Sequence, residues 1–396
     1  MDHPQHETQP LKVLHVYSGN MYGGIETVLS TLAQNRVAAP QMKPEFGLCF
    51  SGRLREELEE ADCVVHDLGP IRISRPWTLL RARRRLVRLL RQGEYDVVVM
   101  HACWVQALLG ATARRLSPVV YWGHDISYGE HWLEKWAARC RPTYVIANSE
   151  ATRESIEKRL YPGTPASIAR YPVLRSDGFG ADDRKAIRKE FDLDDETPVI
   201  IQVGRLESYK GLHIHLEALG QLPADEPWES WVVGGPQKAE DHEYLSKLKA
   251  IVEGHGLTNR VRFLGQRSDV ARILRAADLF CHPNVRAEPF GVVFIEALFA
   301  GLPVVATNIG GAKEIVTDNC GQLVAPNDVN ALAKALNELV QDLALRKSLG
   351  VNGPNRATEL CDVGAQILKL EKVLRSAASL EQDGLRRAPA AVTGAP

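Results

Sequence analysis

The chain has 396 residues, 45% of them hydrophobic, enough for two or three domains with full apolar cores. It carries 48 Lys and Arg against 49 Asp and Glu, so the net charge of −1 excludes a global pull toward nucleic acid or lipid. Seven scattered cysteines with no C-x-x-C pair point to small apolar thiols in a reducing compartment, not to disulfides or zinc ligands.

The N-terminus is polar and lacks the apolar centre of a signal peptide. No run approaches the ~18 apolar residues of a membrane span. A cytoplasmic location is therefore expected, with the inner face of the membrane as a peripheral site. Residues 1–10 and 383–396 read as disordered ends. Leu11 to Tyr17 reads as a buried strand, Ser18 to Gly24 as a turn of small residues, and 25–36 as a helix. The loop from Gly19 to Gly24 is not G-x-G-x-x-G, so a dinucleotide fingerprint is not supported. Gly23 and Gly24 still permit a ligand close to the backbone; a plain strand-to-helix turn is the other reading.

Alternation continues with strands at 45–49 and 64–68, a helix from Thr78 to Arg91, and a buried strand from Asp96 to His101. A helix at 107–116, a strand at 119–122, a helix at 132–138 and a strand at 144–147 follow. Ser149 then N-caps a helix to Leu160. Strands alternating with helices imply a parallel, doubly wound sheet. The Pro- and Gly-rich stretch 161–180 reads as a linker. A second α/β domain places strands at 198–203, 231–233, 261–264, 279–281, 303–306 and 321–324. Its helices fall at 213–219, 243–253, 270–276, 292–299, 314–316 and 329–341. The expectation is α/β, with two Rossmann-like doubly wound parallel-sheet domains facing a cleft at the strand C-termini. The domains would cover 11–172 and 173–360, with a last helix at 361–382.

Charge is uneven. Before Pro172 there are 22 Lys and Arg against 18 Asp and Glu. The helix from Thr78 to Arg91 holds six arginines beside five leucines. It reads either as a contact for anionic membrane or as an ordinary domain helix with a solvated arginine face.

Four stretches carry chemistry. Gly204-Arg205-x-x-x-x-Lys210-Gly211 follows a strand and offers two cations, a forked guanidinium and a point-charge ammonium, to a diphosphate. Glu288-Pro-Phe-Gly-Val-Val-Phe-Ile-Glu296 is a loop running into a short buried helix. Backbone N–H groups at Gly291, Val292 and Val293 suit a phosphate. Glu296 suits ribose hydroxyls and Glu288 sugar hydroxyls; one capping and one solvated glutamate is the plainer reading. Thr307 to Val316 adds a Gly-Gly turn before another short helix. In the first domain, His124-Asp125 ends a strand and would face the cleft, though a structural histidine is the commoner case. No G-x-S-x-G and no metal-ligand spacing is present.

These motifs, in this order, resemble family 4 glycosyltransferases, retaining enzymes of the GT-B fold. The likeness includes G-R-x-x-x-x-K-G, Val261-x-Phe-Leu-Gly265, the E-x7-E element, G-L-P-V-V-A-T with G-G-x-x-E-I-V, and Gly23-Gly24-Ile-Glu. It covers about residues 11–375. Two departures are Val232-Val-Gly-Gly-Pro, where an acidic residue usually stands between glycines, and Tyr171-Pro in the linker.

The resemblance implies Arg205 and Lys210 as diphosphate ligands, Glu296 as ribose ligand and Glu288 facing the donor sugar, with Phe290 and Gly291 nearby. It implies a nucleobase near Leu264 to Arg267, Gly23 and Gly24 over the donor phosphates, and His124 beside the reacting sugar. It implies no metal and no cofactor, with Arg and Lys stabilising the leaving diphosphate. UDP and GDP donors are both open. Acceptor contacts would come from 17–22, 101–106 and 124–128. The expected activity is retaining transfer of a hexose from a nucleoside-diphosphate sugar to a hydroxyl of a glycan or lipid-linked acceptor, in cell-surface polysaccharide or glycolipid synthesis. The rival is a non-catalytic sugar-nucleotide binding protein of the same fold.

Overall fold

A computed structural model describes residues 9–18, 23–176 and 180–387. The readings for 1–8, 19–22, 177–179 and 388–396 lie outside these. The chain forms two compact units, one of residues 1–172 with 363–396, the other of 173–362.

The first unit is a seven-stranded parallel sheet. In chain order its strands are β1 Leu11–Tyr17, β2 Met42–Leu48, β3 Val65–Asp67, β4 Val97–His101, β5 Val119–Gly123, β6 Tyr144–Ala147 and β7 Ala166–Ile168. Their order across the sheet is β3-β2-β1-β4-β5-β6-β7. The second unit has six parallel strands: β8 Val199–Val203, β9 Glu229–Val233, β10 Val261–Gly265, β11 Leu279–His282, β12 Val304–Thr307 and β13 Gly321–Val324. Their order is β10-β9-β8-β11-β12-β13. β4, β5, β8, β9, β11 and β12 are buried along their whole length, as strands covered on both faces must be.

Both sheets reverse direction once, between β1 and β4 and between β8 and β11. With every strand parallel, the loops after the strands share one edge of each sheet. The reversal opens a crevice there, the usual ligand position in such folds. The loops after β8 and β11, which hold Lys210 and Glu288, therefore meet at the crevice of the second unit.

Several elements escape the sequence pattern. β7 lies inside the stretch read as linker and pairs with β6. Helix Arg53–Glu60 is charge-dense and buries only Leu54 and Leu58, so no apolar run marks it. Helix Ala181–Glu190 is similarly polar, and it is anchored mainly by two arginines, Arg184, which reaches Asp278 at 2.9 Å, and Arg188. Arg188 is 1% exposed; it donates to the Ala276 carbonyl at 2.9 Å and pairs with Asp278 at 3.1 Å. Helix Leu343–Cys361 contains Gly350, Gly353 and Pro354, which read as breakers. A Cβ on Gly353 would sit 2.7 Å from the Leu298 carbonyl oxygen, so small residues let this helix press on Val292–Phe299. The region read as one helix at 107–116 is a helical run over 102–113 with a π-turn at Gln106–Gly110.

The last helix, Val363–Arg387, belongs to the first unit. Arg375 on it donates to the Gln41 carbonyl at 2.7 Å. The helix continues through 383–387 of the expected tail, across Gly384 and up to two residues before Pro389.

Candidate active site

In the second unit β8 ends at Val203, and a short turn, Ser208–Lys210, carries Lys210 toward β11. The turn is seated by two bonds. The Val285 N–H donates to the Tyr209 carbonyl at 2.9 Å, and the Gln202 amide donates to the Lys210 carbonyl at 3.0 Å. Gly211 has φ +71, and its α-carbon lies against the Pro283 carbonyl, where a side chain would overlap backbone. The loops after β8 and β11 are thus locked together, and their charged residues meet. Lys210 Nζ lies 2.5 Å from Glu288 Oε2, both side chains being 13% exposed. Asn284 Nδ2 adds a long contact of 3.4 Å to the same oxygen. A cation and an anion at the mouth of a crevice, each mostly shielded from water, interact more strongly than a surface pair.

Glu288 is held from behind by the loop after β12. The Gly311 N–H donates to the Glu288 carbonyl at 2.8 Å. Gly310 has φ +59, and a Cβ there would come 2.6 Å from the Glu288 nitrogen. The Gly-Gly turn is the backing of the Glu288 loop, a role its sequence did not reveal.

Gly291, at φ +95, precedes helix Val292–Phe299 and turns the chain from loop to helix. Phe290 is 1% exposed and pins the loop to the core. Val292 and Val293 are half-buried in the first turn of the helix. Glu296 lies further along it, open to solvent on one side but crowded by protein atoms on the other. That crowding raises its carboxyl above the ordinary carboxylate range. It borders a recess of about 50 Å³ whose other walls include Leu174, Val270, Leu274, Arg275 and Phe299.

Arg205 is half exposed and pairs with Glu207 at 3.1 Å. Leu264 is half-buried in β10. Arg267 grips Asp269 through two bonds of 2.8 and 2.9 Å and reaches Glu190 at 2.8 Å. Those carboxylates hold its guanidinium within this surface network. Among the described residues no group of three His, Cys, Asp or Glu is placed to hold a metal ion.

In the first unit Gly23 N-caps helix Gly24–Gln34 in an extended conformation. Its N–H donates to Glu26 Oε2 at 3.0 Å, and the Tyr17 hydroxyl donates to Glu26 Oε1 at 2.9 Å. Among the described residues a Cβ on Gly23 would meet nothing nearer than 3.7 Å, and one on Gly24 nothing within 4 Å.

His124 is 4% exposed, with both ring nitrogens engaged. Nδ1 lies 2.6 Å from the Tyr171 hydroxyl, and Nε2 lies 3.0 Å from His101 Nδ1. His101 Nε2 continues to His15 Nδ1 at 2.9 Å. Asn148 Nδ2 donates to the Tyr171 oxygen at 2.9 Å and to the His124 carbonyl at 3.1 Å. The chain of rings spans β1, β4 and the end of β5, directly across the sheet reversal. Sequence reading named His124 beside the reacting sugar and His101 only as the start of an acceptor-contact stretch; their link to each other and to His15 was hidden because the three lie on separate strands. Ala102, just after His101, has φ +68, a costly conformation for a residue with a side chain.

Burial pushes His15 and His124 down to about 3 and His101 well below its ordinary value. All three are therefore neutral in the folded protein and take up protons on unfolding below about pH 6.5. Their contribution to stability is complete above pH 6.5 and is lost as pH falls toward 3. Urea unfolding of the first unit should lose up to about 1.4 kcal/mol per pH unit per histidine in that window. His15→Phe should flatten the slope by one proton. An unchanged slope would contradict the buried, neutral assignment.

Residues 183–356 match the family model for glycosyl transferases group 1, and residues 22–169 that for glycosyltransferase family 4. A GDP-mannose-dependent monoacylated alpha-(1-6)-phosphatidylinositol monomannoside mannosyltransferase of Corynebacterium glutamicum is 33% identical over 285 residues, 68% of this chain and 73% of its own. A D-inositol 3-phosphate glycosyltransferase of Mycobacterium sp. (strain KMS) is 31% identical, over 63% of this chain and 60% of its own. Among solved structures, Anabaena HepE in complex with UDP superposes with a TM-score of 0.81 at 25% identity, over 92% of this chain and all of that one.

Proposed function

Because this chain belongs to glycosyltransferase family 4, we propose that it transfers a hexose, with retention of configuration, from a nucleoside-diphosphate sugar to a hydroxyl of a glycan or lipid-linked acceptor. The observation that carries this reading is the Lys210–Glu288 pair at the crevice between β8 and β11. Without donor, each group neutralises the other. A bound diphosphate competes for Lys210 and for the half-exposed Arg205, whose own tie is Glu207. Glu288 is then released to accept hydrogen bonds from the sugar. The free N–H groups at the start of helix Val292–Phe299 add positive potential for phosphate. As the glycosidic bond breaks, charge grows on the diphosphate, where Lys210 and Arg205 stabilise it. The acceptor oxygen attacks from the same face, and its proton passes to the departing phosphate. Glu296 holds the ribose.

The curated relatives include a GDP-mannose-dependent enzyme, and HepE was solved with UDP. A thermal-shift panel of UDP-, GDP- and ADP-sugars therefore comes first. One sugar nucleotide should raise the melting temperature while its free sugar does not. With that donor identified, Glu296→Ala should weaken binding about 10- to 100-fold, the worth of hydrogen bonds to a charged group. The 2′-deoxyribose analogue should lose much less. Equal losses for both donors would remove Glu296 from the ribose.

A further inference from the structure

Among the described residues no helix is long and apolar enough to cross a membrane. One helix is nevertheless built for a surface. Pro76–Gly93 packs on the first unit through Ala82, Leu86 and Leu90. At 3.6 residues per turn, Trp77, Leu80, Arg81, Arg84, Arg88 and Arg91 fall in one stripe about 100° wide on the opposite side. Every one of them is exposed. The other two arginines are used internally: Arg83 donates to the Leu108 carbonyl at 2.9 Å, and Arg85 pairs with Asp67 at 3.0 Å. The four in the stripe have no ion pair among the described residues.

The helix contains no Asp or Glu. Arginines three and four positions apart repel, so this face costs helix stability in water. A merely solvated face would interleave acids. The charge is complementary to an anionic surface, and the apolar residues say which kind. Ile73, Trp77 and Leu80 are 53%, 58% and 54% exposed and gather at the N-terminal end, with Arg72 and Arg75 exposed among them. Indole and aliphatic groups enter the boundary between headgroups and acyl chains, while guanidinium groups stay on phosphates.

We propose that this face docks on an anionic phospholipid bilayer, with the Ile73–Trp77–Leu80 end inserted and Arg81, Arg84, Arg88 and Arg91 on lipid phosphates. The arginines supply a salt-sensitive attraction and the inserted end a salt-insensitive hold. A surface-bound enzyme meets a lipid-linked acceptor in the plane of the membrane. The docking itself rests on no donor or acceptor assignment.

Flotation of the full chain with phosphatidylcholine vesicles, with and without a third of phosphatidylglycerol, tests this without any sugar nucleotide. Binding is expected on the anionic vesicles only, and to weaken at high salt. Arg84→Glu with Arg88→Glu should lower partitioning at least about 25-fold, since each arginine near such a surface contributes about fivefold and the new glutamates add repulsion. Trp77→Ser should weaken binding at low and high salt alike. Lys247→Glu with Lys249→Glu, on an exposed face of the second unit, should change nothing. Circular dichroism and melting confirm folding, because every substituted side chain points to solvent. No binding to anionic vesicles overturns the proposal, as does binding that the arginine reversal leaves intact. A shift of duplex nucleic acid by this face, in place of vesicles, overturns it too.

Discussion

Lys210→Ala is expected to lower kcat/KM about 100- to 1,000-fold in a protein that remains folded, the usual loss when one preorganised charge-stabilising group is removed. Lys210 sits at the crevice, is only 13% exposed, and has its backbone fixed by Gln202, so its ammonium is aimed before any ligand arrives. Alanine leaves Glu288 with the weak 3.4 Å contact to Asn284 and no cation. That unpaired charge costs some stability, but the core of the second unit is untouched. Glu288→Ala should cause a loss of similar size by removing the partner of the sugar hydroxyls. The double variant should lose far less than the product of the two, because the residues act as a unit. Steady-state kinetics with circular dichroism check this, and folded variants with full activity would refute the site.

Gly311→Ala should impair catalysis without touching a charged residue. A Cβ there would lie 2.7 Å from the Phe290 Cα and overlap its carbonyl, so backbone must move. The displaced segment is the one that carries Glu288, which Gly311 also holds by its N–H. A fall of at least about 10-fold in kcat/KM is expected, because small displacements of positioned groups are costly in rate. The accompanying stability loss should be about 1–3 kcal/mol, as for other overpacked sites. Denaturant melts and kinetics on the same sample separate the two effects. Lost stability with wild-type kinetics would show that the turn supports the fold and not the site.

The parallel sheets were legible because β4, β8, β11 and β12 are short apolar runs bounded by turn residues. Topology then explains why Lys210 and Glu288, distant in sequence, meet: their loops follow the two strands flanking the reversal. Charge-dense helices such as Arg53–Glu60 were not legible, since two buried leucines make no periodic signal. Helix Leu343–Cys361 hid behind glycines that serve close packing. The histidine chain was invisible for a different reason. Its members sit on β1, at the end of β4 and just past β5, and only strand order makes them neighbours. That chain occupies both nitrogens of His124, a fact that no local motif contains.

Lys210 and Glu288 are proposed to act together on a nucleoside-diphosphate sugar, releasing the diphosphate and passing on the sugar. The direct measurement is NMR of the reaction with the stabilising donor and a hydroxyl acceptor, following nucleotide release and the anomeric signal of the product. Release should depend on acceptor, the product should keep the donor's anomeric configuration, and Lys210→Ala should be nearly silent. A donor that binds but is never consumed would point to a sugar-nucleotide binding protein. A product of inverted configuration would contradict the retaining mechanism.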